Sequence, residues 1–254
     1  LALAEFGPRS LVYHEGRAYR VVRALLSFKG DQTAADRTLP TLTARICGQC
    51  GAGHFSDSVS LCHACHASLG DAEIINYIYR IENVATQPAE RITANDEERQ
   101  RQGYELQTTF EWAIRDHLLD VRHALTRDSE GEILSLSYGT GATISRLNKG
   151  LRRRANRTQF GFRIDPVSGY WAKNEDESTE PTDPSVAPRQ WIVPIVQDRK
   201  NALLVRPSTE GLSLITLATV HHALLRGIEA VFQLEESEIL AEPMPTRDKR
   251  NGFL

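Results

Sequence analysis

The chain has 254 residues, 41% hydrophobic and 25% charged, with a formal net charge of −3. These are ordinary globular values, with enough length to bury a core as one large domain or two small ones. The near-balanced charge excludes global charge as a guide to partners, and the lack of a leader-like or long apolar run predicts a cytoplasmic protein with no membrane partner.

The chain opens at Leu1 and stops at Leu254, just after the turn-like Lys249-Arg-Asn-Gly252, which gives the expectation of a piece cut from a longer polypeptide. Gly7-Pro8 marks a turn. Leu11–Tyr13 and Tyr19–Leu26 then read as two strands joined at His14–Arg17. Residues 29–40 are polar and predict a loop. Asn95 followed by Glu98 is a capping-box pattern that predicts a short helix over Asp96–Gln102, ended by Gly103. Tyr104–Trp112 alternates. It predicts a strand with Tyr104, Leu106, Thr108, Phe110 and Trp112 on one face.

Residues 118–138 predict a hairpin turning at Asp128–Gly131. A helix is expected from Thr143 through the following arginines. Phe160–Ile164, a turn at Asp165–Gly169 and Tyr170-Trp171 read as strand, turn, strand. Residues 174–188 are acidic and contain proline, and read as a loop. Trp191–Val196 and Ala202–Val205 predict a hairpin turning at Asp198–Asn201. Apolar residues recurring from Leu214 to Phe232 predict the longest helix, over 213–234. Ile239–Ala241 predicts a last strand. Hairpins interspersed with a few helices, without a β-α-β rhythm, predict an α+β fold. Its expected parts are an N-terminal β-hairpin segment (1–40), an inserted four-cysteine zinc ribbon (41–70) and a larger α+β region (71–254).

All four cysteines lie in Cys47-Gly-Gln-Cys50 and Cys62-His-Ala-Cys65. Two such pairs are the usual sign of a tetrahedral zinc site, because each pair can turn tightly and aim two thiolates at one ion. Soft thiolates select zinc. A redox pair would need a thioredoxin-like β-α-β setting, which neither pair has, and disulfides are disfavoured in a reducing interior. His54, His63 and His66 lie among the cysteines as substitute ligands or as neighbours. A four-thiolate site leaves no open coordination position, so it reads as structural.

Ser145–Arg157 is rich in positive charge and has no acid. Arg146, Lys149, Arg153 and Arg157 fall three or four apart, as on one helical face. With Arg152 and Arg154 they offer forks for phosphate, and Trp171 (with Tyr170 beside it) offers a ring for an unpaired base. The plainer reading is a solvated helix face balanced by the acidic residues 175–177. Gly139-Thr-Gly141 lacks the Gly-Lys-Ser/Thr ending of a phosphate loop. Asp96–Glu98 fits acid at a helix start. No nucleophile–base set stands out, so the chain itself predicts no catalytic centre.

Taken in order, Glu5-Phe-Gly-Pro8, Val12–Arg20, the cysteine pairs, Glu90-Arg-Ile-Thr93, Glu97–Tyr104, Arg146–Arg154, Val193–Asn201 and Leu225–Glu229 resemble a helicase region. It is the C-terminal, four-cysteine (MrfA-type) zinc-binding region of superfamily-two DEAD/DEAH-box helicases. That group includes DNA-repair helicases and the large helicase components of the DISARM and Druantia phage-defence systems. The resemblance covers nearly the whole chain. It implies a zinc module appended to an ATP-driven motor, with Cys47, Cys50, Cys62 and Cys65 as the ligands. ATP and Mg2+ would belong to motor domains in cis outside this sequence. DNA is the implied partner, as a single strand or at a duplex junction, with a defence-complex subunit as a further one. The alternative is a scaffold that docks a partner subunit without touching DNA. A stand-alone metal-dependent nuclease is disfavoured by the closed thiolate site.

Overall fold

A computed structural model of the chain describes residues 2–26, 38–56, 58–91, 103–172, 187–209 and 211–254. Among the described residues strand accounts for 49% and helix for 10%. The fold is therefore β-rich, which corrects the α+β expectation. Among the described residues helix is confined to α1 (Ala2–Glu5) and α2 (Leu214–Phe232).

The strands, in chain order, begin with β1 (Leu11–His14), β2 (Arg17–Leu25), β3 (Leu42–Ile46), β4 (Gly53–His54) and β5 (Glu73–Arg80). Then come β6 (Asn83–Arg91), β7 (Tyr104–Glu111), β8 (Ile114–Arg115), β9 (Leu118–Leu119) and β10 (Val121–Arg127). The last are β11 (Glu132–Leu151), β12 (Phe162–Ile164), β13 (Gln190–Pro207), β14 (Pro243–Met244) and β15 (Gly252–Phe253). The chain divides into two compact units. The first is Leu1–Ala44, Ile74–Gln107 and Arg146–Val196; the second is Arg45–Glu73, Thr108–Ser145 and Gln197–Leu254. The four-cysteine segment thus belongs to a unit that also draws on two later parts of the sequence.

In the first unit β1, β2 and β6 form an antiparallel sheet, with the predicted hairpin between β1 and β2. β13 pairs in parallel with β5 (Val193 opposite Ile78) and antiparallel with β12 (Ile192 opposite Phe162), so the pairing is mixed. The core gathers Ala24, Leu39, Tyr79, Ile164, Trp171 and Ile192. β2 buries every third residue, at Ala18, Val21 and Ala24, instead of every second. An extra residue in β2 between Val21 and Arg23 resets the alternation and sends Val21 and Ala24 inward together, while the shift between Arg17 and Tyr19 puts its extra residue in β6.

In the second unit β10 and β11 form the expected hairpin, and Asp128 closes its turn by accepting from the backbone N–H groups of Glu130 and Gly131. α2 starts where the periodicity placed it. Ser213 caps it by accepting from the Thr216 N–H at 3.0 Å. Its stripe is less buried than predicted. Only Leu217 and His221 of the helix are buried, while Ile215 and Phe232 are 81% and 68% exposed. By length and composition α2 would suffice to cross a bilayer.

Several local expectations are overturned. No helix begins at Thr143; β11 runs on to Leu151, and a turn follows. Its β-branched and aromatic residues (Ile133, Tyr138, Thr140, Thr143, Ile144) favour a strand, and ladder pairing outweighed the helical spacing of the arginines. Asp198–Asn201 is not a turn, because β13 passes through it unbroken with an exposed polar stretch. Ile239–Ala241 is not a strand. β7 forms, but Leu106 is 40% exposed while Gln107 and Thr109 are buried, so its faces are not those of the simple alternation. The expected helix at 96–102 lies outside the described residues, as do most of the loops at 29–40 and 174–188.

Tyr104 anchors the N-terminal turn of the first unit. Its buried hydroxyl lies 2.8 Å from Ser10 Oγ and donates to the Pro8 carbonyl at 2.6 Å. Burial pushes its pKa up to about 12, against hydrogen bonding to Ser10 and the Arg9 charge, which pull it down. A raised folded pKa means stability that is whole below pH 10 and drains away as the pH rises towards 12. The loss should reach about 2–3 kcal/mol in urea unfolding across that window. Tyr104→Phe should start about 1 kcal/mol less stable at pH 8 and lack that alkaline loss. An unchanged alkaline slope in Tyr104→Phe would refute the assignment.

Candidate metal centre

The two Cys-x-x-Cys segments fold alike. In the first, Cys47 N–H donates to Ala52 O and Gly51 N–H donates to Cys47 O, both at 2.9 Å. In the second, Cys62 N–H donates to Ala67 O and His66 N–H to Cys62 O, also at 2.9 Å. Gly51 and His66 occupy the same place in the two turns, and both are left-handed, at φ +78° and +61°. The first turn caps the β3–β4 hairpin; the second is closed by a bridge between Leu61 and Ser68. Backbone pairing therefore holds each thiol pair in place.

The turns bring all four Sγ atoms within 4.8 Å of one another. Cys47 and Cys65 are 3.6 Å apart and Cys50 and Cys62 are 3.5 Å apart. A disulfide needs about 2.0 Å, and all four are free thiols. A tetrahedron with metal–sulfur bonds of about 2.3 Å has edges of about 3.8 Å, so the cluster has the dimensions of a four-thiolate metal site. Cys47, Cys50 and Cys62 are buried, and Cys65 is partly exposed. The Ala64 N–H donates to Cys62 Sγ at 3.4 Å, the kind of contact that favours a thiolate.

The electrostatics point the same way. The thiols of Cys50, Cys62 and Cys65 surround Cys47 and hold its pKa far below the thiol range. Cys50 and Cys62 are pushed far up, first by that neighbouring sulfur and then by burial. Cys47 and Cys65 are drawn down while Cys50 and Cys62 are pushed up, so four negative charges do not fit in the cluster unless a cation is among them. A divalent soft cation meets that requirement. The cluster also sits inside a hydrophobic core with Leu69, Phe110, Trp112, Ala142, Leu204 and Met244. Thr109 Oγ1 donates to the Gly51 carbonyl at 2.7 Å, and Ala52 bridges to Phe110, so β7 is fastened to the first turn.

The histidines stand outside this four-sulfur group. His54 and His63 face each other with Nδ1 atoms 3.4 Å apart, and His63 Nε2 accepts from the Trp112 N–H. Burial lowers both pKa values, that of His63 to about 4 with a further push from His54. His66 is exposed and serves the turn. The supporting roles of Thr109 and Met244 had no sequence signal, since both come from segments distant in the chain.

The basic stretch is dispersed. Lys149 and Arg154 have buried side chains, and both face Glu105, at 3.6 and 2.7 Å. Both also lie over the Phe160 ring. Arg154 donates besides to the Leu151 and Arg157 carbonyls. Arg146 is half-buried. Arg152, Arg153 and Arg157 are exposed, and Arg152 Nε donates to Tyr104 O at 3.0 Å. Trp171 is packed in the first unit's core, edge-on to Phe162. Burial thus withdraws Lys149, Arg154 and Trp171 from a solvent-facing set. A comparison of the chain with family profiles, curated proteins and solved structures finds no match.

The two turns make opposite predictions at one equivalent position. A Cβ on Gly51 would lie 2.7 Å from Met244 Sδ and 3.0 Å from Pro245 Cα, in a left-handed backbone. Gly51→Ala should cost at least 1–2 kcal/mol, roughly the left-handed penalty alone. His66→Gly relieves that strain without a clash and should be within about 1 kcal/mol of the parent, or more stable. Thermal unfolding of the metal-loaded proteins checks both; equal losses would contradict the matched turns.

Proposed function

We propose that the chain is a zinc-clamped accessory region of an ATP-dependent DNA helicase or translocase, working in the cytoplasm beside motor domains in cis. The observation that carries it is the closed four-thiolate cluster at the centre of a β-rich core. Bound zinc supplies a structural cross-link there, and no coordination position is left for substrate. Cys47, Cys50, Cys62 and Cys65 would hold it, and the matched turns position them. ATP and Mg2+ belong to the motor. Of the basic stretch, Arg152, Arg153 and Arg157 remain on the surface to meet the DNA backbone. The ordered set of motifs that resembles the helicase region, for repair or for phage defence, supports the same reading.

A second reading has its own observation. Val231 and Phe232 of α2 are 75% and 68% exposed and line one apolar cavity with Leu224 and Ile228, a face suited to a partner subunit of a defence complex. On that reading the chain is a docking scaffold and the arginines are merely solvated.

Freshly purified, reduced protein should contain about one zinc per chain by elemental analysis. Cys50→Ser should lose it and unfold several kcal/mol more easily, given about 10 kcal/mol for structural zinc in isolated modules. Replacing Arg152, Arg153 and Arg157 together by alanine should weaken DNA binding and flatten its salt dependence. Metal-free folded protein would sink the clamp. Unchanged DNA binding by the triple variant would remove those arginines from the reading, and partner capture that survives it would favour the scaffold.

A further inference from the structure

We propose that the cleft between α2 and the start of β11 is a docking groove for a basic amphipathic helix of a partner protein. The inference rests on the docking reading given above for α2 and supplies the chemistry of its partner. It needs no DNA contact.

The cleft has a volume of about 630 Å3, and its lining residues all belong to the second unit. Its helix wall includes Val220, Ala223, Gly227 and Val231, whose spacings of three and four set them on one stripe. The stripe runs for about 17 Å, or about three turns, at about 1.5 Å per residue. Ile133 and Leu134 of β11 form the opposite wall. The α2 residues that enter the core, Leu217 and His221, lie on a neighbouring face. The stripe itself is uncovered. Ala223 and Gly227 are exposed, and Val231 is 75% exposed.

The lining selects a helix. Among the described residues Thr209 is its only polar side chain, so an incoming backbone finds few hydrogen-bond partners there. An extended segment would bury unpaired N–H and C=O groups against it, whereas a helix satisfies its own. Gly227 lets such a helix come close. A Cβ at Gly227 would meet no atom within 4 Å, so the space beside it is open.

Charge selects which helix. Asp128, Glu130 and Glu132 lead into Ile133, and Glu235, Glu236 and Glu238 follow Phe232. All of them are exposed, and residues 128–132 and 235–238 contain no cation. The neighbouring cations are already paired, Arg127 with Glu132 at 2.8 Å and Arg226 with Glu229 and Glu236 at 2.8 and 3.3 Å. Arg206 precedes the lining residue Pro207 but packs beside Gly252. Arg122 shares a face of the hairpin with Leu134 but lies about 13 Å along the strand, at about 3.3 Å per residue. The C-terminus of α2 adds the negative end of its dipole. An apolar groove bordered by acid is complemented by apolar side chains flanked by lysine or arginine. A second copy of this chain would bring acid against acid, as would an anionic lipid surface.

The test uses the full zinc-loaded chain and a fluorescent peptide of about 18 residues, leucine and lysine at amphipathic helical spacing, titrated by anisotropy across a salt series. Its leucine–glutamate counterpart is the comparison. Gly227→Leu should weaken binding of the lysine peptide about tenfold or more. The same variant should melt about 2–4 °C higher, because leucine is the better helix former and its Cβ enters open space. Glu130→Gln/Glu235→Gln/Glu236→Gln should weaken binding about tenfold and flatten its salt dependence. Parent-like binding by Gly227→Leu overturns the groove, and parent-like binding by the glutamine variant overturns the choice of a basic partner. Equal or tighter binding of the glutamate peptide, lost in Gly227→Leu, overturns that choice too and leaves the docking reading standing. Dimerisation of the parent chain in sedimentation, or its uptake by phosphatidylcholine vesicles, gives the groove to a second copy or to lipid if Gly227→Leu abolishes it, and overturns the inference. No binding of either peptide, with neither dimerisation nor uptake, overturns the docking reading as well.

Discussion

Four sulfur atoms within 4.8 Å of one another, three of them in buried residues, set the terms for the second unit. As thiols they carry weak hydrogen bonds and little packing advantage. As thiolates they repel one another in a site that water barely reaches. A cation among them would reconcile the geometry with the burial. The surrounding core follows from this. Phe110, Trp112, Leu204 and Met244 pack on the cysteines themselves, so the cluster is part of the core and not an appendage to it. With typical domain stabilities of about 5–15 kcal/mol, a metal worth about 10 held there would decide whether such a unit folds.

The cluster was legible in the sequence because its geometry is local. Each Cys-x-x-Cys turn closes on itself within a few residues, and its glycine announces one of the two left-handed positions. The hairpins at Leu11–Leu25 and over residues 118–138 were legible for the same reason, since a turn motif sits between two apolar strands. The second left-handed position was not, because a histidine occupies it. Asp198–Asn201 shows the opposite failure. Four polar residues look like a turn whether they leave the sheet or merely face water within a long strand, and only β13's partners decide.

The arginine run failed differently. Its spacing of three and four is a helical signature, but the preceding Thr140–Ile144 segment is strand-forming, and the ladder carries on to Leu151. The fate of the charges was decided still further away. Glu105 lies more than forty residues earlier, yet it receives both Lys149 and Arg154. Phe160 supplies a ring beneath the same two cations. Two buried cations share one carboxylate and one aromatic face, and Arg154 also donates to two backbone carbonyls, so removal of Glu105 would take away the counter-ion of both. A charge run read along the chain cannot distinguish such a structural set from a surface patch.

The N-terminal sheet shows how a strand irregularity re-aims side chains. In an unbroken strand the odd and even positions part company, which would set Val21 and Ala24 on opposite faces. The one extra residue in β2, at the shift between Val21 and Arg23, undoes that separation, so both turn inward while Arg20 and Arg23 fall together on the other side. The second shift, between Arg17 and Tyr19, places its extra residue in β6 and leaves the alternation of β2 from Arg17 to Val21 as it was. Bulges are expected where a strand must re-aim side chains, and here a single residue does so for the core of the first unit.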